Sequence, residues 1–293
     1  MSLNVIPFNS GTQAIQAFLE EAKIDTVLLP NNICPDVIRS LTKRYNLVLC
    51  EIEDHFKPPN YHKYISSNLG EVAIIFVHTY GVYQQKDREQ ISNSSVKLVI
   101  DDCCLCDPIS IINNYFSYDR NYVFSFGYSK FIDLNGGGLY LGKHDLNTST
   151  TSINGINLPL EHIKFSTIEQ FKKSEIYKII DLYSRNRSKH SRKLSDIYVV
   201  LDEFFETMDS PWRKIYKVNK EFLDNLKETI DRENPNLFFG TNYPLWQYKN
   251  GNLSKKDSVD FSDKTLINLF NDFRVDEQHA TDMVEVIKSL LGK

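Results

Sequence analysis

No stretch of this 293-residue sequence approaches the roughly 20 consecutive apolar residues that a membrane-spanning helix needs. The N-terminus, Met-Ser-Leu-Asn-Val-Ile-Pro-Phe, has neither the charged start nor the long apolar run of a secretory signal. The expected setting is therefore the cytoplasm, with no membrane partner. An excess of one charge is also missing. With 34 basic and 38 acidic residues the formal net charge is -4, which gives no reason to expect nucleic acid as a ligand. Cysteine is sparse: Cys34, Cys50, Cys103, Cys104 and Cys106 make an odd set of five without disulfide-framework spacing. The run Cys103-Cys104-Leu105-Cys106 has no second Cys/His pair to complete a closed zinc site, so reduced thiols and no metal are expected. No internal repeat is visible.

Apolar residues are plentiful. At 41% they support a substantial core, and the length suits one large domain with a smaller appendage. Strand-like runs cover residues 4–8, 25–30, 46–51, 71–78 and 97–100, and two more flank Lys130. Several are apolar throughout, the pattern of strands buried on both faces. Helical periodicity falls between them: Gln13 to Ala22, with Ala14, Ile15, Phe18 and Leu19 on one face, and Pro35 to about Tyr45. Strands alternating with helices predict an α/β fold with a mainly parallel seven-stranded sheet covered by helices. In such sheets chemistry gathers at the C-terminal strand ends. Ser10-Gly11-Thr12, Asn31-Asn32, His78 and Asp101-Asp102 all fall there.

After Gly142 the pattern changes. A polar loop is expected over 145–157, then helices over 167–201, 202–208, 217–231 and 276–291, with loop or strand between 235 and 252. Arg185, Arg187, Lys189, Arg192 and Lys193 read as a solvated helix face.

The stretch from Asn121 to Leu141 organises these observations. It reads as a buried strand, a turn bearing Lys130, the glycine run Gly136-Gly137-Gly138, and a second apolar strand; Ser125 stands five positions before the lysine. Two readings stand on these residues alone. Lys130 is a solvated loop lysine beside a glycine hinge, or it is a partly desolvated amine whose lowered pKa suits attack on a carbonyl. His78 likewise fits either a pocket-lining group or a satisfied structural histidine.

Together the segments resemble the nucleotide-sugar aminotransferases (DegT/StrS-like) of the fold-type I pyridoxal-phosphate (PLP) enzymes. Ser10-Gly11-Thr12-Gln13-Ala14 is similar to that family's opening Ser-Gly-Thr-x-Ala, and Val77-His78-Thr79-Tyr80-Gly81 to its Val-His-x-x-Gly. Val99-Ile100-Asp101-Asp102-Cys103 resembles Val-Ile-Glu-Asp-Ala, and Phe124-Ser125-Phe126 with Lys130 and the glycine run resembles the lysine segment. The resemblance implies a PLP-binding major domain over residues 1–200 and a reduced helical small domain over 201–293, forming a homodimer. It implies a PLP-dependent aminotransferase that carries an amino group from an amino acid donor such as glutamate to a nucleotide-linked keto-sugar, for surface polysaccharide or secondary-metabolite sugars. Lys130 is the implied catalytic residue, the covalent anchor of the cofactor aldehyde and the carrier of a proton. Asp102 is implied to pair with the pyridinium nitrogen. Gly11, Thr12 and Ser125 are implied phosphate ligands, and His78 and Cys34 are expected to line the ring. Cys34 stands where the family has an aromatic ring, and Leu105 where it has glutamine. Those two departures motivate a second reading, a diverged non-catalytic relative that serves as binding module or dimer partner.

Overall fold

The computed structural model describes residues 2–66, 69–91, 96–144, 163–208, 210–249, 252–256 and 264–293. They form two compact units, Met1–Ser184 with Pro244–Lys256, and Arg185–Tyr243 with Asp257–Lys293. Set beside the division after residue 200 read from the sequence, the first boundary falls at 184/185 and a later segment returns to the first unit.

The first unit is built on strands β1 (Leu3–Phe8), β2 (Thr26–Pro30), β3 (Asn46–Cys50), β4 (Val72–Val77), β5 (Val96–Asp102), β6 (Tyr122–Ser125), β7 (Gly138–Gly142) and β8 (Ile163–Phe165). They form one eight-stranded sheet in the order β3-β2-β4-β5-β6-β7-β1-β8. The first five in that order run parallel, and β7 lies antiparallel to both β6 and β1. The seven expected strands are present. The eighth, β8, pairs with β1 at the edge through only three residues, too few to leave a periodic signal. The loop expected over 145–157 lies outside the described residues.

Among the described residues, α-helices α1 (Gly11–Glu21), α2 (Pro35–Leu41), α3 (Gln85–Glu89), α4 (Pro108–Asn114) and α5 (Ile168–Lys172) lie wholly in this unit. Strand alternation decides which residues each helix covers. Val27 and Leu29 of β2 pack with Ile15, Phe18 and Leu19 of α1 and Val37 and Ile38 of α2. Leu28, between them, points the other way and packs with Ile74 and Phe76 of β4. Each such fully buried side chain contributes about 1.5–3 kcal/mol. At the start of α1 the Ser10 hydroxyl accepts the Gln13 N–H (3.2 Å), an N-cap that replaces one missing helical bond.

The 24-residue helix α6 (Glu175–Tyr198) starts in the first unit and ends in the second. The second unit continues with β9 (Glu206–Met208), β10 (Lys214–Asn219), α7 (Lys220–Glu233) and β11 (Gly240–Thr241). The chain then re-enters the first unit as an antiparallel ribbon, β12 (Trp246–Lys249) and β13 (Asn252–Lys255). It finishes in the second unit with β14 (Lys264–Leu269) and α8 (Glu277–Leu290). Strands β11, β14, β10 and β9 make a four-stranded antiparallel sheet, so the C-terminal unit is not helical alone. Its core joins Leu226 and Ile230 of α7 and Met283 and Ile287 of α8 to Tyr216, Val218, Ile267 and Leu269 of that sheet. The helix expected over 202–208 is a turn followed by β9, which pairs with β10 through Glu206, Thr207 and Met208. No helix among the described residues is long and apolar enough to cross a membrane.

Candidate active site

The glycine run stitches the ends of β1 and β6 together. The Gly137 N–H donates to the Asn9 carbonyl (3.0 Å), and the Phe126 N–H donates to the Gly137 carbonyl (2.9 Å). Gly136 and Gly137 have φ of 122° and 105°, a backbone that side chains disfavour. Gly138 passes so close to the start of α1 that a Cβ there would lie 2.5 Å from the Ser10 carbonyl carbon and 2.6 Å from the Gly11 nitrogen.

Between β6 and that run, the Phe126 carbonyl accepts the N–H groups of Leu134 (2.9 Å) and Gly136 (3.1 Å), closing a loop. Phe131, Ile132 and Leu134 bury their side chains beneath it, while Tyr128 is 72% exposed. Inside the loop the Lys130 N–H donates to the Gly127 carbonyl (3.1 Å), and Ser129 takes the left-handed conformation with φ 65°. A non-glycine residue held there costs of order 1–3 kcal/mol, which the buried apolar anchors on either side offset. Lys130 itself is half-buried.

Three neighbouring strand ends meet at this corner. A Cβ on Gly11 would come within 2.9 Å of Cys104 Sγ and 3.1 Å of Ser125 Cβ, so the start of α1 lies directly on the ends of β5 and β6. Burial pushes the Cys104 thiol well above its usual range; the Asp102 carboxylate raises it further and the Lys130 ammonium lowers it. Both charges therefore act on one thiol. Gly11 lies against Cys104 and Ser125, Asp102 is bonded to the Cys104 N–H, and the Lys130 charge bears on the Cys104 thiol, with Thr12 one residue into the helix. The sequence marked Cys104 and Gly138 only as members of the thiol run and the glycine run, not as site residues; their positions are two residues past the end of β5 and at the close of that glycine run.

The adjacent aspartates face opposite ways, as strand alternation requires. Asp102 Oδ1 accepts the Cys104 N–H (3.0 Å). Asp101, fully buried, receives Arg88 Nε (2.8 Å) and His78 Nε2 (3.1 Å) on Oδ1. His78 Nδ1 accepts the Gln84 N–H (3.1 Å), and its ring stacks on Tyr83 at 4.2 Å. With both ring nitrogens engaged and no exposed surface, His78 belongs to this buried network. Cys34 caps α2 after the end of β2, with its side chain exposed. Leu105 is buried. Arg187, in the basic run of α6, is also buried; its guanidinium donates to the Trp212 carbonyl (2.9 Å) and to Asn271 Oδ1 (2.8 Å), so it is no solvated face.

The corner's chemistry is a primary amine, a hydroxyl beside a helix N-terminus, and a carboxylate. The first N–H groups of a helix lack intrahelical acceptors, and with the aligned peptide dipoles they favour an anion. Among the described residues no group of three or more His, Cys, Asp or Glu is placed to hold a metal ion.

No family model matches the chain, and neither does any of the curated proteins compared with it. Solved structures do match. A DegT DnrJ EryC1 StrS aminotransferase from Brucella abortus superimposes with a TM-score of 0.68 at 15% identity, over 99% of this chain and 86% of that one. The chain shares the fold of that structure. DesV of S. venezuelae, solved with a ketimine intermediate, gives 0.68 at 16% identity over 99% of this chain and 85% of its own. The PLP form of Spr1654 from Streptococcus pneumoniae, assigned as a sugar aminotransferase, gives 0.66 at 14% identity over 98% and 86%. The mixed α/β architecture expected from the sequence is thus matched across almost the whole chain.

Proposed function

We propose that this chain is a PLP-dependent aminotransferase that moves an amino group from an amino acid donor, glutamate in the first instance, to a nucleotide-linked keto-sugar. The observation that carries this reading is the start of α1 lying against Cys104 and Ser125, with the Asp102 carboxylate and the Lys130 ammonium both acting on the Cys104 thiol. The residues present fit the cofactor. Its phosphate suits the N–H groups of Gly11 and Thr12 with the Ser125 hydroxyl, its aldehyde suits the Lys130 amine, and its ring nitrogen suits the Asp102 carboxylate. When bound, the cofactor supplies an electron sink for the carbon that gains or loses the amino group.

The chain's own residues do the rest. Asp102 would pair with the ring nitrogen and favour its protonated form, and the carboxylate's bond from the Cys104 N–H fixes its direction. Lys130, on its closed loop, would supply the amine that anchors the cofactor, and the same amine, once freed, would serve as the acid–base group at the substrate carbon. Cys34, exposed at the head of α2, offers a soft contact to the ring face where a stacked aromatic would be stronger. The reading includes a homodimer in the cytoplasm, serving surface polysaccharide or secondary-metabolite sugar synthesis.

Purified protein mixed with PLP is expected to turn yellow, Lys130→Ala to stay colourless, and added glutamate to bleach the colour. A colourless wild-type protein at saturating PLP refutes the reading and leaves the diverged, non-catalytic one.

A further inference from the structure

We propose that Arg88 is a positioning residue of this site: by holding Asp101 in the buried layer it fixes the end of β5, so that Asp102 alone turns to the opposite face. The inference rests on the reading above, in which Asp102 meets the cofactor.

Two carboxylates in succession at a strand end carry an ambiguity. A slip of one residue in β5 would exchange them, because alternate side chains face opposite ways. Asp101 is wholly enclosed, and a carboxylate without water needs a compensating cation and hydrogen bonds. Two groups reach its Oδ1, Arg88 Nε at 2.8 Å and His78 Nε2 at 3.1 Å. Only one of them brings charge. A backbone N–H can only donate, so the bond from Gln84 N–H to His78 Nδ1 (3.1 Å) makes that nitrogen an unprotonated acceptor. The imidazole is therefore the neutral tautomer with its proton on Nε2, directed at Asp101. Burial, which pushes the His78 pKa down against the Asp101 hydrogen bond, acts in the same sense. Arg88 is the cation that balances Asp101, and arginine stays charged at any working pH.

The consequence reaches Asp102 through the backbone. The Asp102 carbonyl accepts the His78 N–H (3.1 Å), and the Cys103 N–H donates to the Val123 carbonyl (2.9 Å), so the two aspartates sit in a frame tied to β4 on one side and β6 on the other. Removing the Arg88 charge takes away the only cation bonded to this carboxylate among the described residues, leaving the more distant Arg120 charge. The end of β5, with Asp102 on it, is then no longer held.

The test compares wild type, Arg88→Met, Arg88→Lys and the double variant Arg88→Met/Asp101→Asn, reading PLP affinity by fluorescence titration and the thermal midpoint of the apoprotein. Arg88→Met is expected to weaken PLP binding about tenfold or more, Arg88→Lys less, and the double variant to recover most of the loss, because a neutral amide needs no cation. A purely space-filling arginine would show no such recovery. PLP affinity unchanged in Arg88→Met overturns the proposal, as does a double variant no better than Arg88→Met. If wild type itself binds no PLP, the functional reading falls. The Arg88–Asp101 coupling is then read from the thermal midpoints alone, and a double variant melting no higher than Arg88→Met overturns it.

Discussion

Replacing Gly138 by alanine probes whether the corner around Lys130 is one rigid body. The added Cβ would lie 2.5 Å from the Ser10 carbonyl carbon, 2.6 Å from the Gly11 nitrogen and 2.7 Å from the Ser10 oxygen, all below the 3.0 Å that such contacts essentially never breach. All three are backbone atoms, so none can rotate away. Relief requires the start of α1 and the start of β7 to separate. Gly138 is paired with Phe8 on one side and Ser125 on the other, so that movement disturbs the ladder in both directions. Overpacking of this kind costs about 1–3 kcal/mol, and rigid neighbours put it in the upper half of that range. For a domain of this size, about 2–3 kcal/mol corresponds to a fall in melting temperature of about 5–10 °C. Gly127→Ala is the control. The nearest atom its Cβ would meet is Ser125 Oγ at 4.0 Å, and a change within about 0.5 kcal/mol is expected. Thermal unfolding followed by circular dichroism reads both, and PLP titration should show weaker binding for Gly138→Ala alone, because its strain falls on the end of α1 proposed to hold the phosphate. A Gly138→Ala protein melting within about 1 °C of wild type refutes the argument, since the contact would then have been relieved without cost.

Two further outcomes follow from the geometry. Burial holds the His78 pKa below its ordinary 6.5, against the Asp101 hydrogen bond and charge. A histidine depressed in the folded state contributes stability that is fully present above the unfolded value and is lost as pH falls through the folded one. Urea midpoints are therefore expected to decline from about pH 6.5 downward, before the carboxylates titrate, and His78→Gln should flatten that slope; an unchanged slope in the variant assigns the decline elsewhere. Thiol labelling supplies the second outcome. Cys34 is exposed while Cys50, Cys103 and Cys106 are buried, so iodoacetamide should modify Cys34 first, and bound PLP should slow that reaction. Equal rates with and without PLP would remove Cys34 from the cofactor's face.

The parallel sheet was legible because its strands are buried on both faces and read as unbroken apolar runs, as in Val72 to Val77. Gly11, Asp102 and Ser125 could be read as strand-end residues because each stands at or within three residues of the end of such a run, whereas Lys130 lies five residues beyond Ser125. The second unit was less so. Lys214 to Asn219 mixes Ile215, Tyr216 and Val218 with two lysines, and the expected helix from Lys217 absorbed the strand's end. The true start of α7 is marked by Asn219, whose side chain accepts the Phe222 N–H (2.6 Å). The burial of Arg187 was beyond reach of any local pattern, since its acceptors on Trp212 and Asn271 lie 25 and 84 residues away. His78 shows a third kind of limit. Its place at a strand end was correct, but only the Arg88, Asp101 and Gln84 contacts reveal which side of the sheet it serves.

The ribbon of β12 and β13 bears on how the chain is made. Trp246 belongs to the same apolar core as Ile33, Val37 and Ile38, and its N–H donates to the Asn31 carbonyl (2.8 Å). During synthesis the first 184 residues emerge with a gap in that core, and the segment that fills it arrives only after most of the second unit has been translated. The first unit therefore cannot finish folding as a separate N-terminal piece, as consecutive domains ordinarily do on the ribosome. Its completion waits for residue 256.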